Sequence, residues 1–184
     1  MPDDRSLRHF LKNGGVIAYP TESIFGLGCD PKCRLGVKRL LKLKGRPQHK
    51  GLILISDQLS RLQPYIAKMN QAQISTMEAA WNIKTKPHTW IVPRSKDCPK
   101  WLTGRHNSVA IRVTSHALTA RLCKNSRMAL VSTSANRNGC VPAKTASEVK
   151  RLFGRSVMVL NGRTGGASKP STIQDLISGK IIRK

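Results

Sequence analysis

The stretch "LKLKGRPQHKGLILI", Leu41 to Ile55, joins a basic cluster to an apolar run. Four cations stand close together in it: Lys42, Lys44, Arg46 and Lys50. The apolar half, "GLILI", is typical of a buried strand, whereas the residues before it continue a helical pattern. A helix that ends in cations just before a buried strand indicates an α/β unit, and it leaves open whether the cations are only solvated or bind an anion.

The helix before this strand is predicted over "RLGVKRLLKLK", residues 34–44. Its apolar positions Val37, Leu40 and Leu41 recur at helical spacing, and Lys44 continues the same face. Gly45 follows as a residue suited to a helix C-terminus, so Lys44 is expected in the last turn. Lys42 is expected to be a solvated helix residue.

The same alternation of β-rich and helical patterns runs through the rest of the chain. Further strands are predicted at "GVIAYP", "TWIVP", "SVAIRV", "MALVSTS" and "SVMVL". Further helices are predicted at "ALTARLCK" and at "ASEVKRLF", where Thr145 and Glu148 match a capping box and Gly154 closes the helix. The prediction is a single α/β domain over residues 1–184, built around a mixed sheet.

The composition is strongly basic. In 184 residues, 33 Lys and Arg stand against 9 Asp and Glu, which gives a formal net charge of +24. Such a charge attracts polyanions, so RNA or nucleotides are expected partners. Aromatic residues make up only 4% of the chain, too few for a platform on which single-stranded bases stack. Any RNA contact is therefore expected to be mostly to phosphates.

A membrane segment, a secretion signal and a metal site are not predicted. The chain has no run of 18 uncharged apolar residues, and its N-terminus is charged where a signal peptide needs an apolar core. We therefore expect a cytoplasmic protein. The five cysteines are an odd number and are expected to be reduced thiols. Cys29 and Cys33 have no second pair at zinc spacing.

Polar groups gather at the predicted strand ends, where ligands bind in α/β proteins. They are Tyr19, Thr21, Glu22 and Ser23 of "AYPTES", Arg112 of "IRVTSH", and Ser132, Thr133, Ser134 and Asn136 of "VSTSANRNG". Together with the "KGRPQHK" cations they predict a site for anionic oxygens, since Arg suits bidentate contacts and Lys a point-charge contact. Each group alone is more typical of turn chemistry or of a charge at a helix end than of a binding site.

Five motifs follow one another along the chain: "AYPTESIFGLGCD", "LKLKGRPQHKGLILI", "WLTGRHNSVAIRVTSH", "LVSTSANRNG" and "TGGASKPSTIQD". In this order they resemble one family, the YrdC-like threonylcarbamoyl-AMP synthases of the short bacterial type, also called TsaC or RimN. The resemblance implies a nucleotidyltransferase that makes L-threonylcarbamoyladenylate and pyrophosphate from L-threonine, bicarbonate and ATP. It also implies an open, twisted α/β sheet with a large basic concave cavity. A separate transferase complex would use the product to modify the tRNA adenosine next to the anticodon.

The resemblance also implies the site residues. The family's K-x-R and S-x-N signatures fall on Lys44 with Arg46 and on Ser134 with Asn136, which are expected to be catalytic. Thr21 and Ser23 are expected near threonine and bicarbonate. Nucleotide and substrate oxygens are expected to bind the remaining set: Lys50, Arg112, Ser132, Ser171 and Thr172. Magnesium is expected to arrive with ATP on phosphate oxygens and water, because the chain has only 9 acidic residues.

The sequence departs from the family's pattern in "WNIKTKPHTWIVP". Of the family's Pro-Gly-Pro-x-Thr element, Pro87 and Thr89 remain, but Lys86 stands where glycine is expected. Thr114 also replaces a proline that is common after the arginine of "IRV", and Asn138 replaces a serine. None of these changes removes a proposed charged ligand, but a loosened loop is expected to reduce activity or alter the selectivity for threonine.

Three other functions stay open on the sequence alone. A non-catalytic RNA-binding module in tRNA or ribosome maturation would use the same basic concavity. A related carbamoyl-adenylate enzyme of hydrogenase maturation normally carries this domain in a much longer chain. An inactive partner of a modification complex would fit the altered loop. No histidine is assigned as a general base, so positioning and electrostatics are expected to dominate catalysis.

Overall fold

The computed structural model describes residues 3–83 and 86–184, and within them nine strands alternate with six α-helices. The strands are β1 (Ile17–Pro20), β2 (Phe25–Gly28), β3 (Ile53–Ser56), β4 (His88–Pro93), β5 (Ser108–Val113), β6 (Leu130–Ser134), β7 (Met158–Val159), β8 (Thr172–Asp175) and β9 (Ile181–Arg183). The helices are α1 (Asp4–Lys12), α2 (Arg34–Lys44), α3 (Gln71–Asn82), α4 (Lys100–Thr103), α5 (Ala117–Ser126) and α6 (Ala146–Phe153).

The strands form one sheet in the order β7-β1-β2-β6-β3-β5-β4-β8-β9. Three neighbouring pairs are parallel: β1 with β7, β3 with β5, and β4 with β8. The other neighbours run antiparallel. The predicted mixed α/β sheet is therefore confirmed, and β3 and β6 lie near its centre.

The predicted strands are found, although "GVIAYP" forms a strand only from Ile17 and "SVMVL" only at Met158–Val159. The sequence patterns do not predict β2, β8 or β9. In β2, "FGLG" alternates with glycine, which weakens a strand pattern, yet pairing with β1 and β6 on both edges buries it completely. The strands β8 and β9 are short and partly exposed, so they carry little apolar signal.

The two best-defined helix predictions are confirmed in their bounds. Helix α2 ends at Lys44, and Gly45 follows with φ 60°, the left-handed conformation that glycine adopts without steric cost. Helix α6 begins after Thr145, whose hydroxyl accepts from the Glu148 N–H at 3.2 Å, while the Glu148 carboxylate accepts from the Thr145 N–H at 3.3 Å. The sequence patterns do not predict α1, α3 or α4.

Apolar side chains cover both faces of the sheet. In β1, Ala18 belongs to a core cluster that includes Val37 and Leu40 of α2, whereas Ile17 and Tyr19 belong to a second cluster with α1 and α5. Successive side chains of a strand point to opposite faces, so each central strand anchors both clusters. The helix that carries Lys44 is thereby held against one face of the sheet.

Within the described residues, no helix is long and apolar enough to cross a membrane. The five cysteines are free thiols, of which Cys29, Cys98 and Cys123 are buried. In the same part of the chain, no three His, Cys, Asp or Glu side chains come together as a group able to hold a metal ion.

We expect Thr145→Ala to lower the free energy of unfolding by about 1 kcal/mol, because the Glu148 N–H loses its capping acceptor. Urea denaturation followed by circular dichroism would measure this. Ser147→Ala, on the exposed surface of the same helix, is the matched control and should change stability by less than about 0.5 kcal/mol. Equal losses in the two variants would contradict the capping role.

Candidate active site

A cavity of about 710 Å³ lies where polar strand ends meet the segment between α2 and β3. Eight of the predicted site residues line it: Thr21, Ser23, Arg46, Lys50, Arg112, Ser132, Ser134 and Ser171. They come together because β6 lies between β2 and β3, and β3 in turn pairs with β5. The volume is in the range of small-molecule sites.

The charges on the cavity wall are mostly positive. Four fixed cations line it, Arg46, Lys50, Arg112 and Arg183, against the single carboxylate of Asp175 among the described lining residues. Cations that converge on one concavity raise the local concentration of anions. The cavity is therefore suited to a ligand with several anionic oxygens.

Lys44 lies behind the cavity wall instead of lining it. Its side chain is almost fully buried, with 4% exposure, and its ammonium donates to Ser134 O, to Asn136 O at 2.9 Å and to Asn136 Oδ1 at 3.1 Å. These bonds engage all three of its N–H donors. Burial, and to a smaller extent the charge of nearby Arg46, lowers the pKa of Lys44 to about 8. We call Lys44, Ser134 and Asn136 the lysine clamp.

Asn136 also belongs to the clamp and not to the cavity lining. Its Oδ1 accepts from the Ser134 hydroxyl, and its Nδ2 donates to Arg137 O at 2.8 Å and Cys140 O at 2.7 Å. The Asn138 N–H donates to Lys44 O at 2.8 Å. The last turn of α2 and the loop after β6 are thus joined in both directions, although they are far apart in sequence.

Arg46 leaves the end of α2 and reaches the cavity. Its Nη2 donates to Gly51 O at 3.0 Å, while its buried Nε has no hydrogen-bond partner among the described residues. Burial lowers the pKa of Arg46. A guanidinium at a cavity wall suits contacts with anionic oxygens. Lys50, by contrast, is exposed at the rim.

Arg112 is held by a buried carboxylate. Its Nη2 lies 3.4 Å from Glu22 Oε2, and both side chains are less than 10% exposed. Glu22 Oε1 accepts from the Thr114 hydroxyl at 2.7 Å and from the Ser115 N–H at 3.2 Å. Burial alone would raise the pKa of Glu22, but the Arg112 charge and these hydrogen bonds outweigh it and lower that pKa. Glu22 is therefore ionised and orients Arg112.

The hydroxyls at the end of β1 sit under a loop that follows β7. Thr21 donates its hydroxyl proton to Ile24 O at 2.7 Å, while Thr21 O accepts from the Gly165 N–H at 3.0 Å. A Cβ on Gly165 would lie only 3.1 Å from the Glu22 backbone, so a glycine there lets the loop approach this strand end. Ser23 lines the cavity beside Thr21.

Ser171 lies in a cluster of polar side chains with Thr89 and Arg183, of which only Ser171 was predicted as a site residue. Its hydroxyl is 2.8 Å from Thr89 Oγ1, and its carbonyl accepts from Arg183 Nη2 at 2.8 Å. Ser171 and Ile173 line the cavity, so Thr172 between them faces away from it and pairs with His88.

Three contributors to the site were not assigned from the sequence. Arg183 lies in the last strand, where no pattern separates it from any other surface cation. Glu22 and Thr114 were visible as a strand-end carboxylate and as a replaced proline, but only the fold brings them together.

In the altered loop, Trp81 Nε1 donates to His88 O at 3.1 Å. Its residues 84 and 85 lie outside the described part of the chain.

Comparisons with known proteins identify the family and agree with the fold. The Sua5_yciO_yrdC family model, described as "Telomere recombination", matches residues 9–184. A threonylcarbamoyl-AMP synthase of Methylobacillus flagellatus is 62% identical over 179 residues, which cover 97% of this chain and 98% of that protein. A protein of the same name from Thiobacillus denitrificans is 49% identical over 177 residues, which cover 96% of this chain and 93% of that one.

A solved structure, P. abyssi Sua5 complexed with L-threonine, has a TM-score of 0.82 at 25% identity. The match covers 94% of this chain and 51% of that one, so the present chain spans about half the length of the P. abyssi protein.

As the pH is lowered, we expect the free energy of unfolding to fall less in Glu22→Gln than in the wild type. Because the pKa of Glu22 is lowered in the folded state, its contribution is present above the ordinary glutamate pKa and is lost as pH falls through the folded value. Between about pH 7 and about pH 3, the wild type should therefore lose more free energy of unfolding than the variant.

Urea denaturation at each pH would measure this difference. Glu78→Gln, which changes an exposed glutamate on α3, is the control and should keep the wild-type profile. Parallel profiles for wild type and Glu22→Gln would show that the Glu22–Arg112 pair does not stabilise the site.

Proposed function

The chain belongs to the Sua5/YciO/YrdC family, and on this premise we propose that it forms L-threonylcarbamoyladenylate and pyrophosphate from L-threonine, bicarbonate and ATP. The observation that supports this best is the single cavity in which Arg46, Lys50, Arg112 and Arg183 converge with strand-end hydroxyls. Whole-chain identity of 62% to a threonylcarbamoyl-AMP synthase supports it independently. A protein that only bound RNA phosphates would not need the buried lysine clamp or the Glu22–Arg112 pair.

The reaction must bring three anions into one space. The phosphates of ATP, bicarbonate and the carboxylate of threonine repel one another unless fixed cations neutralise them. Arg46 places its guanidinium at the cavity wall, and we assign it to the nucleotide phosphates. Lys50 at the rim is assigned as a second phosphate contact, and Arg112 and Arg183 are assigned to further substrate oxygens.

The hydroxyl side chains are assigned to orientation. Thr21 and Ser23 lie together at the end of β1 and are proposed to contact threonine and bicarbonate. Ser132, Ser134 and Ser171 are proposed to contact nucleotide or substrate oxygens, because all three line the cavity. Lys44 and Asn136 act through Ser134 and are positioning residues. Thr172 faces away from the cavity and is left without a ligand.

The chemistry follows from this placement. The neutral amine nitrogen of threonine attacks the carbon of bicarbonate and forms the N–C bond of a carbamate as one water leaves; if it attacks CO2 derived from bicarbonate instead, the nitrogen loses one proton. A carbamate oxygen then attacks the α-phosphorus of ATP, and the bond to the pyrophosphate oxygen breaks. Negative charge grows on the α-phosphate oxygens, where preorganised cations stabilise it.

Magnesium is proposed to enter with ATP. The described cavity lining offers one carboxylate, Asp175, so phosphate oxygens and water would supply most of its ligands. The product is a reactive mixed anhydride, and we propose that a tRNA-modifying transferase complex accepts it in the cytoplasm. We further propose that residues 1–184 act as one domain.

The direct test is to incubate the pure protein with ATP, bicarbonate and labelled L-threonine. We expect pyrophosphate release that depends on threonine, together with a labelled acyl-adenylate detected by chromatography. Omission of bicarbonate is the control and should abolish both. Absence of both products, with retained tRNA binding in a gel-shift measurement, would favour the RNA-binding function instead.

The lysine clamp predicts a distinctive pattern among variants. We expect Arg46→Ala and Lys44→Ala each to raise the barrier by about 2–4 kcal/mol, the usual loss for a positioned group that stabilises charge. Lys38→Ala, an exposed lysine one turn away from Lys42 on α2, is the control and should keep wild-type turnover.

Double variants separate the two roles. Lys44→Ala with Asn136→Ala should cost about as much as the worse single change, because both residues belong to one hydrogen-bonded unit. Arg46→Ala with Asn136→Ala should come closer to additivity. Additive losses for the Lys44 and Asn136 pair would contradict the clamp.

A further inference from the structure

A second cavity, of about 520 Å³, is separate from the candidate active site and has none of its lining residues in common with it. Its wall is formed by the end of α1 and the turn after it, by the solvent side of α2, by the loop after β6, and by the segment before β7. The proposed reaction assigns no role to it.

The rim of this cavity is positive. Arg39, Lys42, Arg137 and Arg155 line it, all four are exposed, and no carboxylate stands among its described lining residues. Within the described chain, none of the four forms an ion pair with an acidic side chain. Arg39 is oriented by its Nη1, which donates to Gly14 O at 3.0 Å. Arginine and lysine converging in this way suit a phosphate group.

The floor of the cavity is apolar. Phe10, Val16, Leu43 and Met158 line it below the cations. The Phe10 ring lies directly on the backbone of Gly15, where an added Cβ would stand 2.2 Å from the ring. The tight turn at Gly14 and Gly15 therefore shapes the floor. An aromatic and aliphatic floor beneath a cationic rim suits a molecule with one flat apolar part and one anionic part.

We propose that this second cavity binds a nucleotide, either free or within an RNA strand, with its phosphate on the cations and its base on the apolar floor. The volume suffices for one nucleotide. The net charge of +24 supplies long-range attraction for either source.

The second cavity and the lysine clamp share two segments of chain. Lys42 and Lys44 lie in the last turn of α2, and Arg137 directly follows Asn136, whose Nδ2 donates to Arg137 O. A phosphate that bridges Lys42 and Arg137 would draw together the same two segments that the clamp joins.

Amide resonances of the full-length protein can follow each cavity separately. The reporters are Gly14 and Gly15 for the second cavity and Gly51 for the active site. AMP, a short single-stranded RNA and inorganic phosphate are titrated in turn into the nitrogen-15-labelled protein. We expect Gly14 and Gly15 to shift saturably with AMP or with the RNA, and with a dissociation constant that differs from that reported by Gly51.

Matched variants identify the contacts. Lys42→Ala and Arg155→Ala should each weaken the binding reported by Gly14 and Gly15 by about fivefold, as expected for one lost phosphate contact. Their controls, Lys38→Ala on α2 and Arg151→Ala on α6, are exposed cations outside the cavity lining and should leave that binding unchanged.

Each outcome decides the proposal. Saturation by AMP identifies a free nucleotide as sufficient, and saturation by RNA alone identifies a nucleotide within a strand. If inorganic phosphate bound as tightly as AMP and RNA, the base would contribute nothing to binding. The proposal of a nucleotide ligand would then be wrong. No shift with any probe, or equal weakening in the control variants, would overturn the site itself. Because binding is the readout, these results do not depend on whether the proposed reaction occurs.

Discussion

The rest of the site depends on one buried ammonium. Lys44 ends α2 and donates all three of its N–H groups to Ser134, the last residue of β6 in the middle of the sheet, and to Asn136 in the loop after it. Burying an ammonium costs free energy unless acceptors surround it, and here backbone and side-chain oxygens supply them. The same turn carries Arg46 into the cavity, so the clamp determines where that guanidinium stands relative to Ser134.

The cavity also requires a second kind of support, because cations crowded into one space repel each other. Glu22 neutralises the charge of Arg112 from behind the wall, and the Arg112 charge together with hydrogen bonds from Thr114 and Ser115 keeps Glu22 ionised. The wall therefore remains cationic toward the ligand while the protein interior is neutralised locally. The net effect is a concavity that is preorganised for several anionic oxygens and that needs little rearrangement when charge develops.

The sequence predicted most of what depends on local patterns. The ends of α2 and α6 follow from Gly45 and from the Thr145 capping box, since caps act within a few residues. The buried strands follow from apolar runs. The strands missed by the sequence patterns are those whose signal is not local: β2 is held by its two neighbours, and β8 and β9 are short additions at the edge of the sheet.

For the site, motif order in the sequence determined which segments matter, and eight of the eleven named residues line the cavity. Only the tertiary structure decided what each of them touches. Charge made Lys44 and Arg46 look equivalent, yet Lys44 turns inward to the loop after β6 while Arg46 reaches the cavity. Strand pleating turns Ser171 toward the cavity and Thr172 away. Such differences depend on direction and on partners distant in the chain, which residue type and spacing do not encode.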